Sequence, residues 1–357
     1  MLDLKKILEE MILIAAPSGY ESKMTDYIFE TLKDIADEAE VDNIGNLIAG
    51  VRGKNINSPR IMISAHMDQL GLIVRRIDEN GYIQFERLGG VPERILQGSE
   101  FVILTDSGPV EAVCGVKSHH ITLPDEKYIV KSYLDMYLDI GAASKKEVLE
   151  SGIETGSPIV YKPSFRHLKN NRISGTALDN RAGCAVMVKL FEMISTEGPE
   201  SDVYIVGSVN EEFTLKGAAI AARKIKPDIS ICLDSFIAGD TPDSFGRTDV
   251  FLGKGPVLSM YNFHGRGTLN GLIPDKGLAD LVKKTAQENN FLLQLGALIG
   301  LVSESSYTHM EGPGVKCVDL GVPIRYSHSA IETIDFSDLE NLCTLVFEVI
   351  KKIGLSK

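Results

Sequence analysis

The sequence predicts an α/β fold built on a mostly parallel sheet, and three observations support this prediction. Amphipathic stretches with helical spacing alternate with short apolar runs along most of the chain, which is typical of helices packed on a sheet. Three of the apolar runs lead into acidic or histidine side chains. Between residues 71 and 165 the pattern changes to short β-like runs separated by Gly, Pro, Asp and Ser.

The predicted strands are the most apolar of the short runs. They are RIMISAH near residue 60, DVYIVGSVN near residue 202 and DISICLD near residue 228. The predicted helices are the first dozen residues, the stretch after Glu21, and the runs Asn180 to Ile194, Gly217 to Lys224 and Asp275 to Asn290. Because open α/β sheets bind ligands at the carboxyl ends of their strands, the polar residues at these ends are the first candidates for a functional site.

The β-like stretch is predicted to form a small domain inserted into the α/β domain. Its runs include LIVRRI, YIQFERL, EFVILT and EAVCGV. Candidate ligands lie on both sides of it, with His66 before the stretch and Asp179 after it. The sequence therefore predicts a discontinuous catalytic domain, residues 1–70 and 166–357, around an inserted β-rich domain, residues 71–165.

Composition excludes several classes of protein. A chain of 357 residues with 44% hydrophobic content can bury a large core. Its net charge of -12 argues against a nucleic-acid or anionic-membrane partner, since both require clustered Lys and Arg. The start, LDLKKILEEMILIAAPSG, shows neither a signal-peptide core nor a membrane span, so we expect a cytoplasmic protein. The cysteines are odd in number and far apart, and we expect buried reduced thiols at positions 114, 184, 232, 317 and 343.

Five carboxylates and two histidines occur in an order typical of a two-metal hydrolase centre. They lie in ISAHMDQLGLIV, SGTALDNRAG, VGSVNEEFTLKGA, ISICLDSF and PIRYSHSAIE. Each has an ordinary structural explanation by itself, such as a core histidine, a helix-capping Asp or a solvated pair at a helix start. Their succession instead favours a metal centre formed by His66, Asp68, Asp179, Glu211, Glu212, Asp234 and His328.

The residue types suggest how two ions would be bound. Zinc and cobalt take imidazole nitrogen and carboxylate oxygen, and two such ions about 3.5–4 Å apart can share one carboxylate. Asp179, at the mouth of a predicted helix, is the expected bridging ligand. His66 and Asp234 would complete the first metal site, and Glu212 and His328 the second.

The two remaining acids are expected to act around the ions. On a strand, residues two apart face the same way, so Asp68 can reach the ring of His66 and fix its tautomer. Adjacent residues on extended backbone point apart, so Glu211 is expected to face the bridging water while Glu212 binds a metal. Glu211 would then be the general base that removes a proton from this water.

These stretches resemble the tetrahedral or glutamyl aminopeptidase family of two-metal exopeptidases, including its FrvX-like and deblocking aminopeptidase-like members. The matching motifs are Ala65 to Asp68, Ala177 to Arg181, Glu211 to Ala218 and Arg325 to Ser329. The resemblance implies the site roles given above and a three-layer α/β/α phosphorylase/hydrolase-like catalytic domain. It also implies that the inserted domain is β-barrel-like and makes dimer contacts, within a homo-oligomer that is often a dodecamer.

The chain departs from the family pattern near the motifs. Asn180, Gln69 and Asn210 stand where the family usually has two acids and Gln. Residues 303–314, SESSYTHMEGPG, replace a Gly-Gly-Thr-Asp stretch beside the pocket, so the preferred N-terminal residue is not predicted. The Gly-rich segment NFHGRGTLNGLIPDK is a further candidate for the pocket wall.

We therefore expect a metal-dependent aminopeptidase that acts on peptides with a free N-terminus. A metal-bridging hydroxide would attack the first peptide carbonyl, with two divalent ions per subunit; zinc is the expected ion, and cobalt and manganese are compatible alternatives. Three alternatives stay open: an amidohydrolase or deacylase on acylated amino acids, a glycoside hydrolase of endoglucanase type, and an inactive metal-binding assembly protein. Absence of Trp disfavours the glycosidase, because sugar rings usually stack on it.

Overall fold

The computed structural model describes residues 2–355. Within them the helices are α1 Leu4–Ile12, α2 Ser22–Leu32, α3 Lys145–Glu150, α4 Leu178–Glu197, α5 Glu211–Thr214, α6 Gly217–Ile225, α7 Lys276–Glu288, α8 Ser305–Thr308 and α9 Phe336–Leu355. The strands are β1 Glu38–Val41, β2 Leu47–Val51, β3 Ile61–His66, β4 Gly71–Ile77, β5 Ile83–Leu88, β6 Glu100–Thr105, β7 Gly108–Cys114, β8 Leu138–Asp139, β9 Pro158–Tyr161, β10 Phe165–His167, β11 Arg172–Gly175, β12 Val203–Ser208, β13 Ile229–Ile237, β14 Val257–Phe263, β15 Gly271–Leu272, β16 Gln294–Ile299, β17 Lys316–Ile324 and β18 Glu332–Asp335.

One large sheet forms the centre of the molecule. Its strand order is β1-β2-β12-β3-β13-β17-β14-β15, with β16 paired to β14. The four strands β12, β3, β13 and β17 are parallel, whereas the pairs on either side of them, β2 with β12 and β14 with β17, are antiparallel. The parallel pairing that the sequence predicts is therefore found at the centre, and outside it only β14 with β16 is parallel among the strands of this sheet in residues 2–355.

Helices cover both faces of this sheet. Ile61 and Ile63 of β3 pack in the core that includes α1, α4 and α9, while Met62 between them packs against Ala218 and Ala222 of α6 on the opposite face. Successive side chains of a strand point to opposite faces, and here both faces are buried, so β3 is apolar throughout. The result is the three-layer α/β/α arrangement that the sequence predicts.

A closed six-stranded barrel lies between the first and later strands of the large sheet along the chain. Its strand order is β4-β5-β8-β7-β6-β9. The barrel has its own apolar cluster, in which Phe101 stacks on Tyr161 with ring centroids 4.9 Å apart. The predicted fold class, with its β-barrel-like part, is confirmed, and the residue boundaries of the two domains remain a prediction.

The predicted helices correspond to α1, α2, α4, α6 and α7, and α9 was not among the elements predicted. Asp275 caps α7 by accepting a hydrogen bond from the Leu278 N–H at 2.9 Å. Strand β13 does not end at Asp234 as predicted, because its pairing with β17 continues to Ile237.

The five cysteines are buried and unpaired. None of the helices described in residues 2–355 is long and apolar enough to cross a bilayer.

Candidate metal centre

Six of the seven predicted site residues line one cavity of about 640 Å³. The cavity opens beside the carboxyl ends of β3 and β12, with β13 forming part of its wall. Asp68 lies outside the lining and is fully buried. The six residues that line the cavity are His66, Asp179, Glu211, Glu212, Asp234 and His328.

His66 ends β3 and turns one ring nitrogen toward the carboxylates. Its Nδ1 lies 3.1 Å from the backbone oxygen of Asp68 and 3.4 Å from the Asp68 Oδ1. Since a carbonyl oxygen only accepts, Nδ1 carries the proton and donates it, which leaves Nε2 to face the cavity. The carboxylate oxygens facing Nε2 are Asp179 Oδ1 at 3.4 Å, Asp234 Oδ1 at 3.8 Å and Glu211 Oε2 at 3.9 Å.

His328 is oriented in the same way from the opposite side. Its Nδ1 donates to the backbone oxygen of Gly90, 3.0 Å away, in the segment that follows the barrel strand β5. Its Nε2 lies 3.9 Å from Asp179 Oδ2 and 3.8 Å from Glu212 Oε2. Asp179 thus directs one carboxylate oxygen toward each histidine.

Asp179 is held by contacts at both its backbone and its side chain. Its N–H donates to Glu332 Oε2 at 2.9 Å, and its Oδ2 accepts from the Ser235 hydroxyl at 2.9 Å. Its backbone and that of Asn180 are not helical, although both lie at the start of α4. Asn180, where the family usually has an acid, accepts a hydrogen bond from the Gly183 N–H at 3.0 Å and so stabilises the first turn.

Glu211 and Glu212 do not lie on extended backbone. They begin the one-turn helix α5, so the predicted reason for their different directions is wrong. Asn210 before them has a φ of 57°, which turns the chain sharply out of β12. Their carboxylates still belong to two different groups of donor atoms. Within each group, all donor atoms lie within 4.8 Å of one another. The groups are His66, Glu211 and Asp234, and His66, Asp179 and Glu212.

Asp68 has a second set of contacts that the sequence analysis missed. Its Oδ1 accepts from the Glu211 N–H and its Oδ2 from the Glu212 N–H, both at 3.0 Å. The Ser18 hydroxyl also donates to Oδ2, at 2.6 Å. Glu21, likewise buried, accepts from the Asn210 N–H at 2.9 Å. Two buried carboxylates therefore fix three consecutive amides at the start of α5.

Glu332 is the other residue that the sequence analysis missed. It is buried at the start of β18, and its Oε1 accepts from the His328 N–H at 2.7 Å. Its Oε2 is the acceptor for the Asp179 N–H described above. The one signal in the sequence is an acid four residues after His328, which by itself has no predictive value.

The electrostatics of the cluster show an excess of buried negative charge. Burial and the neighbouring acids raise the pKa of Glu212 to about 7, and they raise the pKa of Glu211 and Asp234 well above the ordinary carboxyl range. Burial alone would lower the pKa of His328, but Glu212 and Asp179 raise it to about 9. Buried carboxylates that repel one another in this way, with imidazole nitrogens beside them, fit divalent cations such as zinc.

Two further segments singled out in the sequence also reach the cavity: the Gly-rich segment 262–276 and the segment 303–314, which departs from the family pattern. Asn262, His264 and Arg266 of the Gly-rich segment line it, as that segment was expected to, and Ser303 joins them from the 303–314 segment. His119 and His120 are exposed and lie in neither donor group.

Comparison with known proteins gives a consistent result. The family model of the M42 glutamyl aminopeptidases matches residues 45–345. A putative aminopeptidase of Escherichia coli, SgcX, is 35% identical over 331 residues, covering 93% of this chain and 89% of the relative. A lysyl aminopeptidase of Pyrococcus furiosus is 30% identical over 353 residues, covering 98% and 96%.

A solved structure shows the same architecture. The TET1 peptidase of Pyrococcus horikoshii, described as able to assemble into a tetrahedron or a large octahedral shell, has a TM-score of 0.87 and 31% identity. The match covers 98% of this chain and 99% of that one. The fold, the family model and the relatives agree with the predicted resemblance. The chain belongs to the M42 glutamyl aminopeptidase family of metallopeptidases.

Proposed function

We propose that this chain is a two-metal aminopeptidase that releases residues from the free N-terminus of peptides. The observation that supports this most directly is the position of Asp179 between His66 and His328, with one carboxylate oxygen toward each ring. A carboxylate in this position is suited to bridge two ions.

We assign the ligands of the two ions as the sequence predicts, although in the two close groups of donor atoms Glu211 lies with His66 and Asp234, and Glu212 lies with His66 and Asp179. His66 and Asp234 would hold the first ion, Glu212 and His328 the second, and Asp179 both. Two divalent ions bound here would polarise the scissile carbonyl and lower the pKa of a water between them. Zinc is the expected ion, and cobalt and manganese suit the same donors.

Glu211 is the proposed general base. Its carboxylate is buried beside Asp234 and His66, and its own pKa is raised by burial. Two divalent ions bound beside it would lower this pKa, so that the carboxylate could accept a proton from water and pass it to the leaving amine. Its backbone is fixed by Asp68, so the carboxylate has a defined position relative to Asp179 and Asp234.

The site suits a substrate with a free α-amino group. Glu212 and Asp234 are assigned to the ions, which would offset their charge, whereas Glu211 faces the cavity and is assigned to neither ion. Two ions at this centre would orient the α-amine together with the scissile carbonyl. A peptide with a blocked N-terminus lacks this amine, so we expect exopeptidase rather than deacylase activity.

The first experiment is amino-acid release from unblocked short peptides before and after chelation, followed by addition of zinc, cobalt or manganese. We expect stepwise N-terminal release that chelation stops and metal restores. Acylated amino acids and cello-oligosaccharides belong in the same assay, because their turnover in place of peptides would support an amidohydrolase or a glycoside hydrolase. Protein that holds two ions but releases nothing would overturn the proposed activity.

Two variants separate the proposed base from a proposed ligand. Glu211→Gln should lose turnover by at least about 100-fold while its metal content stays at the wild-type level. Glu212→Gln should lose metal content as well as turnover. Unchanged turnover in Glu211→Gln with full metal content would show that Glu211 is not the base.

We also propose that the chain forms a homo-oligomer through its barrel. The support is the similarity to the TET1 peptidase, whose assemblies are named above. Light scattering of the protein as it elutes from a size-exclusion column measures its molar mass. The mass of a monomer at micromolar concentration would contradict the proposed oligomer.

A further inference from the structure

The cavity continues from the candidate metal centre into a polar recess that the proposed chemistry does not use. Four buried polar residues lie along it: Ser259, Asn262, Ser303 and Asp319. The apolar residues Leu298, Ile299, Leu301 and Val302 also line the cavity. Such a recess beside the reacting groups is suited to hold the side chain of the first residue of a substrate.

Asp319 is the charged group of this recess. It is 4% exposed and lies on β17. Its Oδ2 accepts from the Asn262 amide at 2.7 Å and from the Ser303 hydroxyl at 2.6 Å. Its Oδ1 has no hydrogen bond of ordinary geometry among residues 2–355, and the Ser305 hydroxyl, which interacts with this carboxylate, has none either.

No cation balances this carboxylate in the part of the chain that the structure describes. Burial raises the pKa of Asp319; the hydroxyls of Ser303 and Ser305 and the Asn262 amide oppose this, and His309 has a smaller electrostatic effect. A buried carboxylate that is hydrogen-bonded but not paired with a cation is costly, and an incoming cation would offset that cost.

The strand register places Asp319 within reach of a substrate at the metal centre. Gly321 of β17 lies opposite Asp234 of β13, and Asp319 precedes Gly321 by two residues on the same face. Ordinary strand spacing and rise put the Cα atoms of Asp234 and Asp319 about 8 Å apart. The α-amine and the side-chain ammonium of a lysine are separated by a comparable distance. One substrate residue can therefore extend from the metal centre toward Asp319.

We propose that Asp319 gives the site a preference for peptides that begin with a basic residue, lysine above all. This inference rests on the proposed aminopeptidase function. The ammonium group of the first side chain would take the place of the missing cation beside Asp319, while the α-amine stays at the metal centre.

The rim of the cavity offers the opposite charge and therefore the competing preference. Arg266 and His264 line the cavity, and Arg266 is exposed. An exposed guanidinium is screened by water and salt, whereas the Asp319 carboxylate is not. The buried charge should therefore decide which side chain enters, and an acidic first residue should be disfavoured.

The test uses the metal-loaded wild-type enzyme with peptides that differ in the first residue alone. Lysine and norleucine form a matched pair, because they share the four-carbon stem and differ in the terminal ammonium. We expect kcat/KM for the lysine peptide to exceed that for the norleucine peptide by about 10- to 100-fold, and the glutamate peptide to be the poorest of the three. Equal or better turnover of the norleucine or glutamate peptide would overturn the assignment of Asp319.

Asp319→Asn provides the second measurement. Asparagine retains the size of the side chain and an oxygen acceptor, so we expect a loss of the lysine preference through KM while the norleucine peptide is turned over as before. Equal loss on both peptides would show that Asp319 has a structural role. Turnover of norleucine that chelation abolishes supports the proposed function independently, so failure of the lysine preference and failure of the aminopeptidase activity are distinguishable.

Discussion

The Asp68 carboxylate accepts a hydrogen bond from the backbone N–H of Glu211 at 3.0 Å. The contact joins the end of β3 to the start of α5, two elements 143 residues apart in the chain. Through this contact, the residue two positions after the proposed ligand His66 also fixes the backbone of the proposed general base. Asp68 is therefore a positioning residue for Glu211 as well as for the ring of His66.

Asp68→Asn tests this positioning role. Asparagine has one oxygen where aspartate has two, so the N–H of Glu211 or of Glu212 loses its acceptor. We expect kcat/KM to fall by about 10- to 100-fold with the fold retained, as for other residues that support metal ligands. Peptide hydrolysis and circular dichroism measure the two effects. Asp280→Asn is the control, since Asp280 is exposed on α7 and pairs with Lys276; a fall of the same size there would contradict the positioning role.

Glu332→Gln tests whether Glu332 supports Asp179, the proposed bridging ligand. The two oxygens of Glu332 accept the N–H groups of Asp179 and His328, and glutamine offers one oxygen. A buried donor left without an acceptor costs about 1–3 kcal/mol, so the free energy of unfolding should fall by that amount. Metal affinity should fall with it, because both supported residues are proposed ligands. Urea denaturation and metal titration measure these effects, and wild-type affinity in the variant would rule out this support.

The pair of Asp240 and Arg325 predicts a pH dependence of stability. Arg325 donates to both oxygens of Asp240 at 2.7 Å, and each side chain is at most 15% exposed. Burial alone would raise the pKa of Asp240, but Arg325 and the Leu252 N–H hold it below 3.8. The folded state therefore binds this proton less readily than the unfolded state, and the stabilisation is present above pH 3.8 and lost as the pH falls through the lower folded pKa.

Asp240→Asn should lower the free energy of unfolding by about 1.5–3 kcal/mol near neutral pH. The difference from wild type should be constant above about pH 5 and shrink below about pH 4, as the wild-type carboxylate becomes protonated. Urea denaturation from pH 3 to pH 7 measures this difference. Glu150→Gln removes the exposed pair with Lys146 and should cost less than about 1 kcal/mol. A difference that does not shrink at pH 3 would contradict the role of the charge on Asp240.

The sequence predicts those parts of the site that depend on local pattern. His66 follows an apolar strand, and Asp179 precedes a long apolar helix, so their settings are visible along the chain. The parallel centre of the sheet then brings such strand ends to one edge, which explains why separate short motifs meet in one cavity.

The parts that could not be predicted depend on contacts between distant backbone groups. Glu332 acts through the amides of two other residues, and its side chain alone carries no sign of this role. The helical start at Glu211 depends on the left-handed turn at Asn210, which an apolar strand pattern does not indicate. Strand β13 continues past Asp234 because its neighbour β17 is long enough to pair with it.

The hydrogen bond from His328 to the backbone of Gly90 lets the barrel determine which ring nitrogen of His328 carries the proton. A Cβ at position 90 would lie 3.1 Å from the His328 Nδ1 and 3.2 Å from its Cε1, so a larger residue there would press on the ring. Glycine at position 90 thus leaves room for the ring of a histidine 238 positions away. A barrel transferred from a relative into this chain should therefore preserve the hydrogen bond to His328 only if it carries a small residue at the position of Gly90.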